Sequence, residues 1–346
     1  MTASTLYLVA PDSLASWFPY FTDGRADDRH LLIGERAEAD LPAIRAALAG
    51  HRRPVAVFLS SHDTLIRDRE LARTLAADGH PVVVQSAVAA LLGTDKVAMK
   101  RFFDRHGFAT APWRYGAEGT LAGGPGDPMV VKGRNSTQSR GIRLTGTEPV
   151  GGDVFGEQYL DGVEFSVVVH RMPGRCVTFP PVWKGSTSPR LVPPWRRQRL
   201  CPAPGLDPAQ EAWLRRTSAA IAEAADVRGH LEVEFLLTPD GEGLVLEVNP
   251  RICGTLRLVA MATGVPVFSL HHDYRLADVP AIAYAAEAPY DGEPFNDPRT
   301  GVFATSRLTV AADTPEAAGL ALARHGGGPA PGADPWTAAT ATRLIN

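Results

Sequence analysis

The sequence predicts an α/β protein of α+β character, with a Rossmann-like parallel sheet first and antiparallel strands after it. Short apolar runs alternate with helical spacing over the first ninety residues. Two later runs, HLEVEFLL and GLVLEVNP, alternate with period two around TPDGEG and read as a hairpin. At 346 residues the chain is too long for one compact core, so it divides into subdomains.

The elements follow in order. TLYLVA, HLLIG and RPVAVFLSS read as strands. In TLIRDRELARTLAADGH, Leu65, Leu71, Ala72 and Leu75 recur at helical spacing, and Gly79 supplies a C-terminal stop. PVVVQS is the next strand. This βαβ rhythm has no GxGxxG turn and so carries no dinucleotide signature. GTDKVAMKRFFDRHGF reads as a helix with Thr94 as N-cap and Gly107 as C-cap, and with Lys100 on its surface. EGTLAGGPGDP is a loop, PMVVKG a strand, and GRNSTQSRG a polar, mobile loop. VFGEQYLDGVEFSVVVH reads as two strands around a turn at Asp161 and Gly162. SPRLVPPWRRQRLCPAPG is irregular. Residues 208–226 form a helix that buries Trp213, Leu214, Thr217, Ile221 and Ala224. The last sixty residues, rich in alanine and glycine, show no pattern.

Composition narrows the function classes. Apolar residues make up 45% and charged residues 21%, as in soluble globular proteins. A formal charge of −3 argues against a broad basic face for nucleic acid. Cys176, Cys201 and Cys253 lie far apart without a CxxC pair, which points to a reducing compartment and no structural zinc. No run approaches the roughly 20 apolar residues of a membrane span. The N-terminal stretch lacks a basic region and a long apolar core, so a cytoplasmic location is expected.

The hairpin raises a chemical question. A turn centred on Asp240 and Gly241 sets Glu234 opposite Glu247 and Glu232 opposite Asn249, all on one face. Val233, Phe235, Leu246 and Val248 then form the apolar face. Carboxylates directly opposite one another destabilise a sheet and raise each other's pKa. A divalent cation removes both penalties, and carboxylates with an amide oxygen are hard ligands suited to Mg²⁺ or Mn²⁺. A plain solvent-facing hairpin accounts for the glutamates but less well for Asn249, since asparagine is depleted in strands.

Taken together, five segments in this order resemble the ATP-grasp superfamily, and within it the carboxylate–amine ligases. TDK carries Lys96 as a first phosphate lysine, and DPMVVKG ends in Lys132 as a second. FGEQYLDGVEF resembles the hinge, with Glu157, Gln158, Tyr159 and Leu160 facing adenine and Glu164 facing the ribose hydroxyls. VEF and LEVNPR resemble the metal face, with Glu234, Glu247 and Asn249 as ligands and Arg251 near the reacting carboxyl.

The resemblance implies an ATP-grasp fold behind an N-terminal Rossmann-like domain. It divides the chain into that domain (1–92), a small lid subdomain (93–160), a large subdomain with the metal site (161–280) and a C-terminal segment packing on it (281–346). It implies ATP and Mg²⁺ or Mn²⁺ as cofactors, with Lys132 and Arg251 serving catalysis. Small-molecule carboxylate and amine substrates follow, and a homodimer is compatible with it. The activity implied is amide or peptide bond formation through an acyl phosphate, on an amino acid, toward a dipeptide or specialised metabolite. A kinase, a biotin-carboxylase-like carboxylase and a nucleotide-binding regulator are the alternatives.

Two departures from the family pattern matter. The loop after Lys132 offers Gly133, Arg134, Asn135, Ser136, Thr137, Gln138, Ser139 and Arg140 in place of several glycines; Ser136 and Ser139 are its candidate phosphate contacts. Thr255 stands where biotin-type carboxylases carry a glutamate, so no base is evident there and carboxylation is disfavoured. Cys253 reads as small packing. Ser61, His62 and Asp63 end a strand where open α/β sheets bind ligands, and Arg190, Arg196, Arg197 and Arg199 fall in a loop suited to a carboxylate or to solvent. A metal pair at His271 and His272 is not expected, because neighbours on a strand point opposite ways.

Overall fold

The computed structural model describes the chain except residues 1–3, 11–13, 15–16, 35–36, 51–53, 122–127, 138, 147–149, 273–276 and 328–346. Much of the loop EGTLAGGPGDP, Gln138 and the last nineteen residues thus lie outside the described residues.

The first sheet is parallel throughout. Its strands β1 (Thr5–Val9), β2 (Arg29–Leu32), β3 (Val55–Leu59) and β4 (Val82–Val83) lie in the order β2-β1-β3-β4. Side-chain alternation splits β1: Leu6 and Leu8 face α1 (Ala37–Ala49) and α2 (Leu65–Ala77), while Tyr7 and Val9 pack toward Phe18 and Phe268. Leu71, Ala72 and Leu75 are buried on α2, and Gly79 follows its end with a φ of 91°. A buried stripe thus joins each helix to the sheet.

Two helices lead out of this unit. α3 (Ala87–Thr94) and α4 (Lys96–His106) meet at Asp95, whose carboxylate accepts from Val97 N and Ala98 N. Asp95 and not Thr94 is therefore the N-cap; Thr94 closes α3, with its hydroxyl donating to Ala90 O at 2.9 Å. The extended conformation at Asp95 lets an acceptor reach the first free amides. Gly107 ends α4 in the left-handed conformation, as expected.

A five-stranded sheet follows, in the order β6-β5-β9-β7-β8. It comprises β5 (Trp113–Tyr115), β6 (Glu118–Gly119), β7 (Met129–Gly133), β8 (Arg143–Thr145) and β9 (Val154–Gln158). β9 pairs with both β5 and β7, which places Lys132 and Glu157 on adjacent strands.

The remaining strands build a ten-stranded sheet. Its spine is β10 (Val163–Met172), flanked by β11 (Arg175–Thr178), β12 (Val182–Ser186) and, from Val163 to Arg171, β14 (Gly229–Leu237). The stretch read as irregular contains β13 (Arg199–Cys201), which bridges β12 to β16 (Tyr284–Pro289). β15 (Gly243–Asn249) pairs with β14, and β17 (Phe295–Asp297), β18 (Val302–Ala304) and β19 (Arg307–Ala312) complete the far end.

α5 (Pro208–Ala224) starts at Asp207 with a reciprocal capping box to Gln210 and packs on β10 through Leu214, Ile221 and Ala222. Its buried face is rotated from the expected one. Ala224 is exposed, Ala225 is buried, and Trp213 and Thr217 are half-buried. α6 (Leu256–Thr263) and α7 (Pro315–Arg324) follow. Among the described residues, no helix is long and apolar enough to cross a membrane.

Candidate active site

The β14–β15 hairpin brings Glu234 opposite Glu247 and Glu232 opposite Asn249, as its sequence predicts. The route differs. Counting from the turn, Leu237 faces Gly243, Leu236 faces Leu244 and Phe235 faces Val245, and the register then shifts by one residue before Glu234. Leu246 is the extra residue of this bulge. It leaves the apolar face assigned to it and lines a cleft, while Val245 takes its place in the core. The bulge thus bends the strand where the carboxylates meet.

Cations surround this face. Lys184 Nζ, from β12, lies 2.9 Å from Glu234 and 3.6 Å from Glu232, and Lys96 pairs with Glu247. Burial, together with Glu232 and Glu247, leaves the Glu234 carboxyl raised in spite of Lys184. Glu247 is opposed by the same burial but is held low by Lys96 and Lys132. Asn249 Nδ2 donates to Glu234 Oε1 at 3.2 Å, and its Oδ1 accepts from Arg251 Nη2 at 2.9 Å. The donor set fits a hard divalent cation: two opposed carboxylates, one of them short of countercharge, with an amide beside them. For Asn249 Oδ1 to serve as a ligand, the amide must turn from Arg251.

A cleft of about 830 Å³ opens over the same hairpin. Lys132, Ser139, Glu157, Gln158, Tyr159, Leu160 and Glu164 line it together with Glu234 and Glu247. Gln158 N and Tyr159 N donate to Pro112 O and Pro128 O, at 2.8 and 2.9 Å, while Leu160 N–H has no partner among the described residues. Glu164 accepts from Arg197 Nη1 at 2.9 Å. Ser136 does not line this cleft; its hydroxyl donates back to Gly133 O at 2.9 Å within its own turn. The loop is tied to α4 instead by Arg134, which pairs with the cap Asp95 at 2.5 Å and stacks on Tyr115.

The Glu157 side chain does not face outward over the cleft. It is buried between Lys100 and Lys132 and paired with both. Burial opposes its ionisation, yet the two ammonium groups hold the carboxyl at about 2. The surface expectation for Lys100 fails: its Nζ is fully buried and also donates to Thr110 Oγ1 at 2.6 Å. Lys132 stays in reach of the cleft through its pairing with this buried carboxylate.

A second cleft, of about 1060 Å³, lies beyond Arg251. Ser61, His62 and Asp63 form one wall, Thr137 reaches it from the loop after Lys132, and Arg257, Glu287 and Arg307 lie at its base. Glu287 is buried among Arg199, Arg257 and Arg307 at 3.3, 3.4 and 2.6 Å. Burial would raise it, but the three guanidinium groups hold it at about 2. Arg199 is thus a buried structural cation and Arg197 is buried against Glu164 in the first cleft, whereas Arg190 and Arg196 are exposed.

Thr255 Oγ1 donates to Glu232 Oε1 at 2.7 Å, so that position supplies a donor and no base. Burial pushes the Cys253 thiol up to about 12, which leaves it protonated and unreactive at neutral pH. Cys253→Ala should keep turnover within about threefold of wild type; a loss of two orders of magnitude would assign the thiol a chemical role.

His271 and His272 lie past the turn of Val267–Ser269 and not on a strand. Their rings sit 4.0 Å apart and both reach Thr5 Oγ1, so the argument from alternation fails. His272 gathers with Asp23 and Asp28. These carboxylates already accept from Arg25 Nε at 2.7 Å and from Thr5 N at 2.9 Å, respectively. Asp273 is outside the described residues.

Sequence reading missed Lys184, Lys100 and Glu287. For Lys184 and Glu287 the available signal was a lone charge within an apolar stretch, in PVWKG and YAAEAP; Lys100, beside Arg101 in KVAMKRFF, gave no such signal. Such a charge is buried only with a partner.

Comparison with known proteins agrees with this geometry. The family model for the carbamoyl-phosphate synthase L chain, ATP binding domain, matches residues 197–278. A carbamoyl-phosphate synthase of Methanobrevibacter smithii is 24% identical over 269 residues, covering 68% of this chain and 72% of the relative. A D-alanine--D-alanine ligase of Cupriavidus necator is 26% identical over 250 residues, covering 63% and 73%. In three dimensions, an L-amino acid ligase from Bacillus licheniformis superposes with a TM-score of 0.67 at 14% identity, covering 94% of this chain and 98% of that one. With its opposed carboxylates and lysines beside the first cleft, the chain has the fold of that ligase, and its residues 197–278 carry the match to the ATP-binding domain.

Proposed function

We propose that the chain is an ATP-dependent carboxylate–amine ligase that works through an acyl phosphate. The observation that carries this reading is the position of Glu234 and Glu247. They line the cleft of the hinge residues 157–160, and Asn249 links Glu234 to Arg251, which lines the second cleft. The first cleft suits a nucleotide, with Leu160 N–H and the Glu164 carboxylate as polar anchors. The second suits the acid and the amine. The five-stranded sheet is assigned the part of a lid, swinging Lys132 and the following loop over the phosphates to exclude water.

Lys96 and Lys132 would turn to the phosphates, where mobile point charges offset a polyanion. Glu234, Glu247 and Asn249 would hold Mg²⁺ or Mn²⁺, which when bound supplies electrostatic stabilisation of the transferring phosphoryl group. Arg251, whose buried Nε has no partner among the described residues, would receive the acceptor carboxylate and the oxyanion that forms from it. Lys184, fully buried beside Glu234, is placed to stabilise the same charge.

Thr255 in place of an acid favours an amine over bicarbonate as the second substrate. Amino acids supplied in pairs with ATP and Mg²⁺ should release ADP and phosphate only when both acid and amine are present. Turnover with one acid alone to a stable phosphorylated product, or dependence on bicarbonate, would overturn the reading.

A further inference from the structure

An amine substrate reaches such a site as an ammonium ion and needs to lose a proton before it can attack. Among the described residues, the Asn249–Thr255 side and the base of the second cleft offer nothing to take that proton. Cys253 is held protonated, Thr255 is spent as a donor to Glu232, and Glu287 is clamped by three arginines.

Building on the ligase reading, we propose that His62, in the loop beside the Arg251 turn, is the general base of the amide-forming step. His62 follows the C-terminal end of β3, where parallel sheets present ligand-binding loops. Its loop is fixed on both sides. Ile252 N donates to Ser60 O at 3.1 Å, seaming it to the Arg251 turn. Ser61 N donates to Thr64 Oγ1 at 3.0 Å, and Thr64 Oγ1 in turn donates to Asp68 at 2.9 Å.

His62 and Arg251 line the same cleft, yet among the described residues the His62 ring makes no hydrogen bond. A fixed, half-buried imidazole without a hydrogen-bond partner among the described residues faces the space where acid and amine must meet.

The charged groups around it are Arg251 from the turn after β15, Glu247 on β15, Lys96 at the start of α4, and Asp63 beside it. Burial and Arg251 push its ionisation below the ordinary histidine range, with Lys96 adding to them, so the ring is neutral at pH 7. An imidazole is also far better matched to an ammonium than the carboxylate of Asp63.

The step balances as follows. The ammonium passes one proton to His62, and its nitrogen forms the C–N bond to the acyl carbon. The C–O bond to phosphate breaks, the phosphate departs with that electron pair and the second nitrogen proton, and His62 returns its proton to solvent.

Hydroxylamine separates base catalysis from everything else, because it is largely unprotonated at neutral pH and traps acyl phosphates as hydroxamates. The full chain would be assayed with ATP, Mg²⁺ and an acid active in the pairwise screen. In His62→Gln and His62→Asn, coupling to the amino-acid amine should fall by about 10²–10⁴-fold. Hydroxamate formation from the same acid should stay within about threefold of wild type. The amine rate of the variants should recover as pH rises toward the pKa of the amine. Equal loss with both nucleophiles, or unchanged amine coupling, would overturn the assignment of His62. Wild-type protein that yields no hydroxamate from any acid would overturn the ligase reading itself.

Discussion

Glu247→Gln is expected to reduce turnover by about 10²–10³-fold while leaving the fold intact. Glu247 is one of two opposed carboxylates, and the amide keeps its shape and one acceptor oxygen but loses the charge that a divalent ligand requires. A lost metal contact of roughly 3–4 kcal/mol in the transition state corresponds to that factor. Stability should change little, because the substitution removes the pair with Lys96 and at the same time relieves repulsion with Glu234. Steady-state rates and thermal unfolding of purified variant and wild type decide the point. Unchanged turnover would remove Glu247 from the metal face.

Glu157→Gln should act in the opposite sense, on stability first. The substitution leaves Lys100 and Lys132 without their shared carboxylate, and among the described residues Lys100 keeps the Thr110 hydroxyl and the Leu246 carbonyl as hydrogen-bond acceptors. Removing one partner of a buried ion pair costs about 3–5 kcal/mol, because the remaining charge stays desolvated. The double variant Glu157→Gln, Lys100→Met should recover part of the loss, since the orphaned charge is then gone.

The pH dependence has a fixed sign. The folded carboxyl ionises at about 2, below its ordinary value near 4.5. Its contribution to stability is therefore complete above that ordinary value and is lost as the pH falls toward 2. Denaturant melts between pH 6 and 3 should show wild type losing stability and Glu157→Gln losing less. Equal slopes would contradict the placement of Glu157.

Local patterns in the sequence carried much of this fold. Period-two alternation found the hairpin, and Gly107 ended its helix where expected because only a left-handed residue fits there. The pairing of Glu234 with Glu247 was legible as well, although a bulge restored a register that simple counting reached by a different path.

What was not legible depended on distant partners. Lys100 lies one turn after Lys96 on a polar-looking helix, and nothing local shows that Glu157 on β9 will neutralise it. The three arginines around Glu287 come from separate elements, and β13 is too short and too polar to be read as a strand. Ser136 looked like a phosphate contact by composition, but its hydroxyl closes its own turn. Charges inside apolar runs were the signal in reach, and they mark burial without naming the partner.

Isotope transfer tests the central claim, phosphoryl transfer to a carboxylate, more directly than any substitution. With the acid substrate labelled by ¹⁸O in its carboxyl group, one labelled oxygen should appear in the released phosphate, and ADP should be the nucleotide product. Phosphate free of label, or label recovered in AMP with release of pyrophosphate, would contradict an acyl phosphate.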